Sequence, residues 1–371
     1  MVFGSMPRIA AVALVTIAMA ACGTSSPSST ASKWKIALMS ATGTLQDHNF
    51  SQYSWEGAKK GAADIGANAP ATVVPKDSTD YDKDIQNFVN AGYNLIVTVA
   101  FDEGTATTKA AKANPNVHFI GVDQSPICVD PQGNPDSTFA CKGNAAQLLP
   151  NYTSLYFKED QPGYLAGMVA ASITKTGVIA GVGGITVVPP VVRYLQGYKL
   201  GAESINPNVK VHISYVTTSD FTKAFNDPVS GKVLGAQLIS QDHADVLFQV
   251  AGKTGNGVLD AACAANVYAI GVDVDQYISY PSADPCIVTS AEKHLSNSVE
   301  QAIKALDAGT ITPGDNLFNA ANDGIGVSDF HDKASMFGPE VTTAIQTALA
   351  GMKDGSLKTC PDTDCGVYKA P

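Results

Sequence analysis

A carboxylate beside an aromatic ring in a polar stretch is chemistry suited to holding a flat polar molecule. The chain has that combination in DHNFSQYSWEG, residues 47–57, where Asp47 precedes Phe50 and the ring is flanked by Asn49 and Ser51. The stretch follows the first apolar run, Trp34 to Ser40, and leads into a helical pattern from Trp55 to Ile65. It therefore falls at the carboxyl end of a strand, where open α/β sheets bind ligands. Other expected strand ends carry Ser40, Phe101 with Asp102, and Asp123, which one crevice would gather. Motifs for turnover are missing. Gly181, Val182, Gly183 and Gly184 follow a strand, but Ile185 to Pro190 do not open the helix that a dinucleotide fingerprint needs. No phosphate loop, nucleophile elbow or HExxH is present, and a single Asp47 does not make a metal-holding aspartate cluster. Binding is indicated rather than catalysis, with no cofactor and no metal expected.

The elements that must position these residues alternate regularly. Strand patterns at Lys35–Ser40, Ala71–Pro75, Leu95–Ala100 and His118–Val122 alternate with helical patterns at Trp55–Ile65, Tyr81–Ala91 and Glu103–Ala113. A looser Pro/Asp/Gly-rich region, Gln124 to Asn151, leads to a second series. It has strands at Val178–Val182, Lys210–Val216, Val246–Val250 and Tyr268–Val272, and helices at Gly163–Ser172, Val191–Ala202, Gly231–Gln241 and Gly255–Ala265. Two doubly wound βαβ lobes in succession imply a cleft between them. Cys286–Ser290 and an amphipathic helix at Leu295–Ala308 then return to the first lobe. Residues Asn316–Asp329 are extended and cross back, and Pro339–Met352 is a closing helix. The expected division is 34–150 with about 288–317, then 151–287 with about 318–356, then a tail at 357–371.

The whole chain has 371 residues, 45% hydrophobic and 16% charged, enough for two cores. Twenty-four basic against thirty-four acidic residues leave a charge of -10, which disfavours nucleic acid as a partner. Arg8, the apolar run Ile9–Ala20 and the small residues at Ala20 and Ala21 read as a signal peptide over 1–21. Cys22 follows directly and is trailed by a Ser/Thr/Pro-rich tether at 22–33, an arrangement that resembles the lipobox of bacterial lipoproteins. Cys22 is thus the expected lipidation site, and the protein is expected on the extracytoplasmic face of the cell membrane. The six remaining cysteines suit three disulfides in an oxidising compartment, with 15 possible pairings. Nearness along the chain favours Cys128 with Cys141, Cys263 with Cys286, and Cys360 with Cys365. There is no CxxC pair and no HxxxH-type spacing to suggest a metal instead.

The ordered motifs DHNFSQYSWEG, GYLAGMVAA, FNDPVSGK, VAGKTGNG, AIGVDVDQ and TSAEK resemble the basic membrane protein family from Trp34 to about Met352. These are purine nucleoside-binding lipoproteins of ABC importers. The resemblance implies a type I periplasmic-binding-protein fold: two lobes, a three-strand hinge and a nucleoside such as guanosine, inosine or adenosine held between them. It also implies permease and ATPase partners and a monomeric binding protein. By the same resemblance Phe50 and Phe225 stack on the two faces of the base, and Asp47 and Asp123 are acidic positions at the site. Asp273 binds ribose hydroxyls, Lys293 is a cleft lysine, and Gly252 gives a close backbone approach to the sugar. The chain departs from the family around the first ring, with Asn49 before Phe50 and Ser51 after it, where serine or glycine and then asparagine are usual.

The chemistry is consistent with this on its own terms. Paired rings sandwich a purine, and aspartates accept its N–H and ribose O–H donors. A sugar or other small polar ligand would use the same residue types, and a signalling or adhesion lipoprotein could share the same fold. Taken singly, Phe50 and Phe225 also fit core rings, Asp47 and Asp273 fit helix caps, and Lys293 fits a solvated surface lysine.

Overall fold

The computed structural model describes residues 1, 2, 4, 32–40, 44–46, 49–138 and 140–369. Asp47, Cys22 and residues 5–21 of the signal region lie outside them. Residues 32–371 form one compact unit. In chain order its elements are β1 (Ile36–Met39), α1 (Phe50–Asp64), β2 (Ala71–Val73), α2 (Tyr81–Asn90), β3 (Leu95–Val99), α3 (Gly104–Ala113), β4 (His118–Val122), α4 (Ala145–Leu148) and β5 (Tyr152–Phe157). There follow α5 (Asp160–Ile173), β6 (Val178–Ile185), α6 (Pro189–Ile205), β7 (Lys210–Thr217), α7 (Phe221–Asn226), α8 (Pro228–Asp242), β8 (Val246–Val250), α9 (Gly252–Ala264) and β9 (Tyr268–Asp273). The chain closes with α10 (Gln276–Ser279), β10 (Ile287–Lys293), α11 (Leu295–Asp307), β11 (Gly314–Phe318), β12 (Ile325–Val327) and α12 (Pro339–Asp354).

Among the described residues the strands make two six-stranded sheets, ordered β11-β5-β4-β3-β1-β2 and β12-β10-β9-β8-β6-β7. All pairings in the first are parallel, and only β12 runs antiparallel in the second. Runs such as IALM and LIVTV are buried throughout and almost wholly apolar because helices cover both faces of such sheets. This is the expected α/β architecture of two doubly wound lobes.

Sheet membership places the crossings between lobes. Tyr152–Phe157, for which the sequence reading has no strand, pairs with β4 in the first sheet, and Ile287–Lys293 pairs with β9 in the second. A division by sheet therefore falls after Phe157 and after Lys293 rather than at 150 and 287. The extended stretch 316–329 resolves into β11 in the first sheet and β12 in the second. The chain thus crosses three times: from β5 to α5, from β10 to α11, which packs on α1, and from β11 to β12.

Glycines let α5 and α6 approach backbone to backbone. A Cβ on Gly163 would collide with the Tyr194 carbonyl oxygen, and one on Gly197 with that of Asp160. Larger residues there would push apart the two helix starts that carry Glu159 and Arg193. The three disulfides join Cys128 to Cys141, Cys263 to Cys286 and Cys360 to Cys365, as nearness along the chain favours, with Cα separations of 4.6, 5.3 and 5.7 Å.

Candidate functional site

Several site residues of the sequence reading meet around the ammonium of Lys293. Its side chain is 3% exposed and ends β10, so it is not a solvated surface lysine. The Nζ donates to Asp123 Oδ2 at 2.5 Å and lies 3.3 Å from Glu159 Oε1 and 3.8 Å from Asp273 Oδ1. Asp123 follows β4 of the first sheet, while Asp273 ends β9 of the second. One cation therefore bridges carboxylates from both lobes. The Phe50, Phe157 and Tyr194 rings surround it with centroids 5.6, 5.3 and 5.6 Å away.

Both aspartates take left-handed backbone conformations, with φ of 60° at Asp123 and 64° at Asp273. Such values are uncommon away from glycine, and Asp tolerates them better than bulky residues do. Asp273 is not a helix cap: Asp275 takes that place at α10, accepting from the Tyr277 amide at 3.2 Å. Asp273 Oδ1 accepts from the Tyr194 hydroxyl at 3.2 Å. Asp123 Oδ1 is buried and has no hydrogen-bond partner among the described residues. An oriented acceptor of that kind suits an incoming N–H or O–H donor.

Electrostatics account for the arrangement. Burial pushes the Asp123 carboxyl up to about 6, with Lys293 pulling it down and Glu159 and Asp273 pushing it up. Burial also disfavours the Lys293 ammonium, but Asp123, Glu159 and Asp273 outweigh it and hold the lysine above its ordinary value. For fully buried Glu159, burial opposes ionisation, yet Arg193 and Lys293 hold its carboxyl below the usual range. Arg193 Nε donates to Glu159 Oε2 at 2.6 Å. Two cations thus face three carboxylates. Buried ion pairs of this kind add little net stability, because desolvation offsets their attraction. Binding polar groups of a ligand gives a better reason for them.

Phe50 and Ser51 do not sit in an open turn. They start α1, five residues earlier than the amphipathic pattern begins, with Asn49 at the N-cap position, so Phe50 is held half-buried at a helix start. Asn49 and Ser51 are buried. Phe225 lies in α7, likewise half-buried, and the Cβ position of Gly252 is 3.7 Å from its ring. Gly252 opens α9 with φ of 51°, which a glycine adopts without penalty. Phe225 and Gly252 form this second group on the lobe of β6–β10.

Sequence reasoning missed Glu159, Arg193, Tyr194 and Phe157. A signal exists in YFKEDQPGYLAG, where a charged run sits between an apolar strand and a small-residue helix. Glu159 is wholly buried, whereas a charge run is usually solvated. Two cavities, of about 160 Å³ beside Thr153 and Gln301 and about 240 Å³ beside Tyr215 and Val233, lie away from this cluster.

Solved structures with this fold include a solute-binding protein of an ABC transporter system from Aeropyrum pernix, with a TM-score of 0.71, 20% identity, and coverage of 89% of this chain and 95% of that one. A periplasmic solute-binding protein from Actinobacillus succinogenes with bound D-allose has a TM-score of 0.56 at 16% identity, covering 82% and 100%. Among characterised sequences, the chain is 29% identical to the ABC transporter nucleoside-binding protein BmpA of Lactococcus lactis, over 94% of this chain and 97% of the relative. It is 27% identical to basic membrane protein D of Borreliella burgdorferi, over 90% and 92%. Residues 34–346 match the Bmp family, described as ABC transporter substrate-binding protein, PnrA-like. A match over most of its length, on the two-lobed fold of solute-binding proteins, makes this chain a member of the Bmp family of ABC transporter substrate-binding proteins.

Proposed function

We propose that this substrate-binding protein captures a purine nucleoside between its lobes and presents it to an ABC permease and its ATPase. It does so without chemical turnover, from a lipid anchor at Cys22 on the extracytoplasmic face. The proposed anchor rests on Cys22 directly after the apolar run and its small residues; among the described residues no helix is long and apolar enough to cross a membrane. The observation that carries the reading is the Lys293 ammonium between Asp123 of one sheet and Asp273 of the other. A nucleoside has donors at both ends, on the base edge and on the ribose, and such a pair of acceptors can engage both. Phe50 and Phe225 supply the base faces, and Asp47, Asn49, Ser51 and Gly252 complete the contacts. The Lactococcus relative, named as nucleoside-binding, supports the ligand class.

A thermal-shift screen with guanosine, inosine, adenosine, the free bases, ribose and D-allose tests the reading. A nucleoside at a hundredfold its dissociation constant should add about 2.7 kcal/mol of stability. In calorimetry Asp273→Ala should weaken that binding by about 2–4 kcal/mol. A shift with a sugar and none with any nucleoside would replace the ligand class. Sustained release of free base from inosine would replace binding with catalysis.

A further inference from the structure

The segment after α12 is not a loose tail. Thr359 is 2% exposed and its hydroxyl donates to Asp160 Oδ2, next to Glu159. Beyond it the Cys360–Cys365 disulfide closes a short loop. The side chain of Gln196 on α6 is wrapped by that loop: its Oε1 accepts from the Gly366 amide at 2.8 Å, and its Nε2 donates to the Asp364 and Val367 carbonyls at 3.0 and 3.3 Å. Arg193 lies one helical turn earlier on the same face. The Cβ position of Gly366 falls 3.2 Å from Arg193 Cγ and Nη1, so the loop covers the arginine. The Tyr368 ring then packs on Tyr215, with centroids 5.1 Å apart.

We propose that the loop closed by Cys360 and Cys365, anchored through Gln196, is a positioning clamp that holds Arg193 on Glu159 and thereby sets the affinity of the Lys293 site. Arg193 reaches Glu159 at 2.6 Å, and Glu159 in turn reaches Lys293 at 3.3 Å, so a displacement at the loop is two ion pairs from the ligand. Gln196 touches none of the ligand-facing groups and acts only through Arg193. The affinity part rests on the reading of the Lys293 cluster as the ligand site. The positioning of Glu159 does not.

The groups facing Glu159 are Arg193 and Tyr194 from α6, Lys293 from β10, Asp123 after β4, Tyr156 from β5 and its neighbour Asp160. Of these, Arg193 is foremost in favouring the Glu159 anion. Loosening the clamp should therefore raise the pH at which Glu159 titrates, which a merely structural tail would not do.

The experiment uses the full chain as Gln196→Ala and, separately, as Cys360→Ser with Cys365→Ser. Carbon NMR of the Glu159 carboxyl gives its titration midpoint in unliganded protein, and calorimetry gives inosine affinity. The expected result is a higher Glu159 midpoint in both variants and affinity lower by about tenfold, the scale of coupling within one charged network. An unchanged midpoint in both variants overturns the clamp, whatever happens to affinity. If the wild-type chain binds no nucleoside while the midpoint still moves, the clamp stands and the nucleoside reading falls.

Discussion

Lys293 shows how one residue can be misjudged from its type. Taken singly, the lysine of TSAEK is expected at the surface, although the family resemblance makes it a cleft lysine; here it is buried, with three carboxylates converging on it from separate parts of the chain. Asp123 has a testable consequence for pH. Its folded carboxyl titrates at about 6 against an ordinary 3.8, so the folded state binds the extra proton between those values. The associated stability is fully present below about 3.8 and lost as pH rises through about 6, a change of roughly 3 kcal/mol. Urea unfolding of the unliganded protein should show that decline between pH 4 and 7, and Asp123→Asn should flatten it. Ligand binding should have the opposite slope, strengthening as pH rises through about 6, because the anion is the acceptor. An affinity that is level across this range would remove Asp123 from the base edge.

At the scale of elements, the approach of α5 to α6 decides the site. Gly163 and Gly197 stand where any side chain would strike the facing backbone. The close approach puts Arg193 on Glu159, just after β5 and at the head of α5. Gly197→Val should destabilise the fold by about 1–3 kcal/mol through overpacking, read from urea unfolding. It should also weaken ligand binding, because Arg193 rides on the same helix. Much of this level is legible in sequence: the 3.6-residue and continuous-apolar patterns locate most strands and helices. The strand Tyr152–Phe157 is the instructive omission. Its sequence, YTSLYF, follows a loop rich in Pro and Gly and carries a Thr and a Ser. Both are buried in a strand that pairs with β4 on one side and β11 on the other, a context that no local pattern announces.

Over the whole molecule, the three crossings are tied to one another by polar contacts. Glu159 at the first meets Lys293 at the second. Gln161 Oε1 accepts from the Ala320 amide at 2.9 Å, joining the first to the third, and His294 Nδ1 lies 2.8 Å from the Asp323 carbonyl, joining the second to the third. Crossings linked in this way should bend as a unit when the lobes move. X-ray scattering should show a smaller radius of gyration with saturating ligand than without, and an unchanged curve would mean that binding does not close the lobes.

By itself the sequence determined the α/β class, the two-lobe alternation and the family, since each follows from local periodicity or ordered motifs; it favoured, among 15 possible pairings, the near-neighbour cysteine pairs that the structure joins. It also singled out Asp123, Asp273, Phe50 and Lys293 as site residues. Only the tertiary structure decided that Lys293 is the buried centre joining both lobes, that Glu159 and Arg193 support it, and that the C-terminal loop sits on Arg193. Ion pairing depends on distance in space and on exclusion of water, and neither is written in the spacing of residues 123, 159, 193, 273 and 293 along the chain.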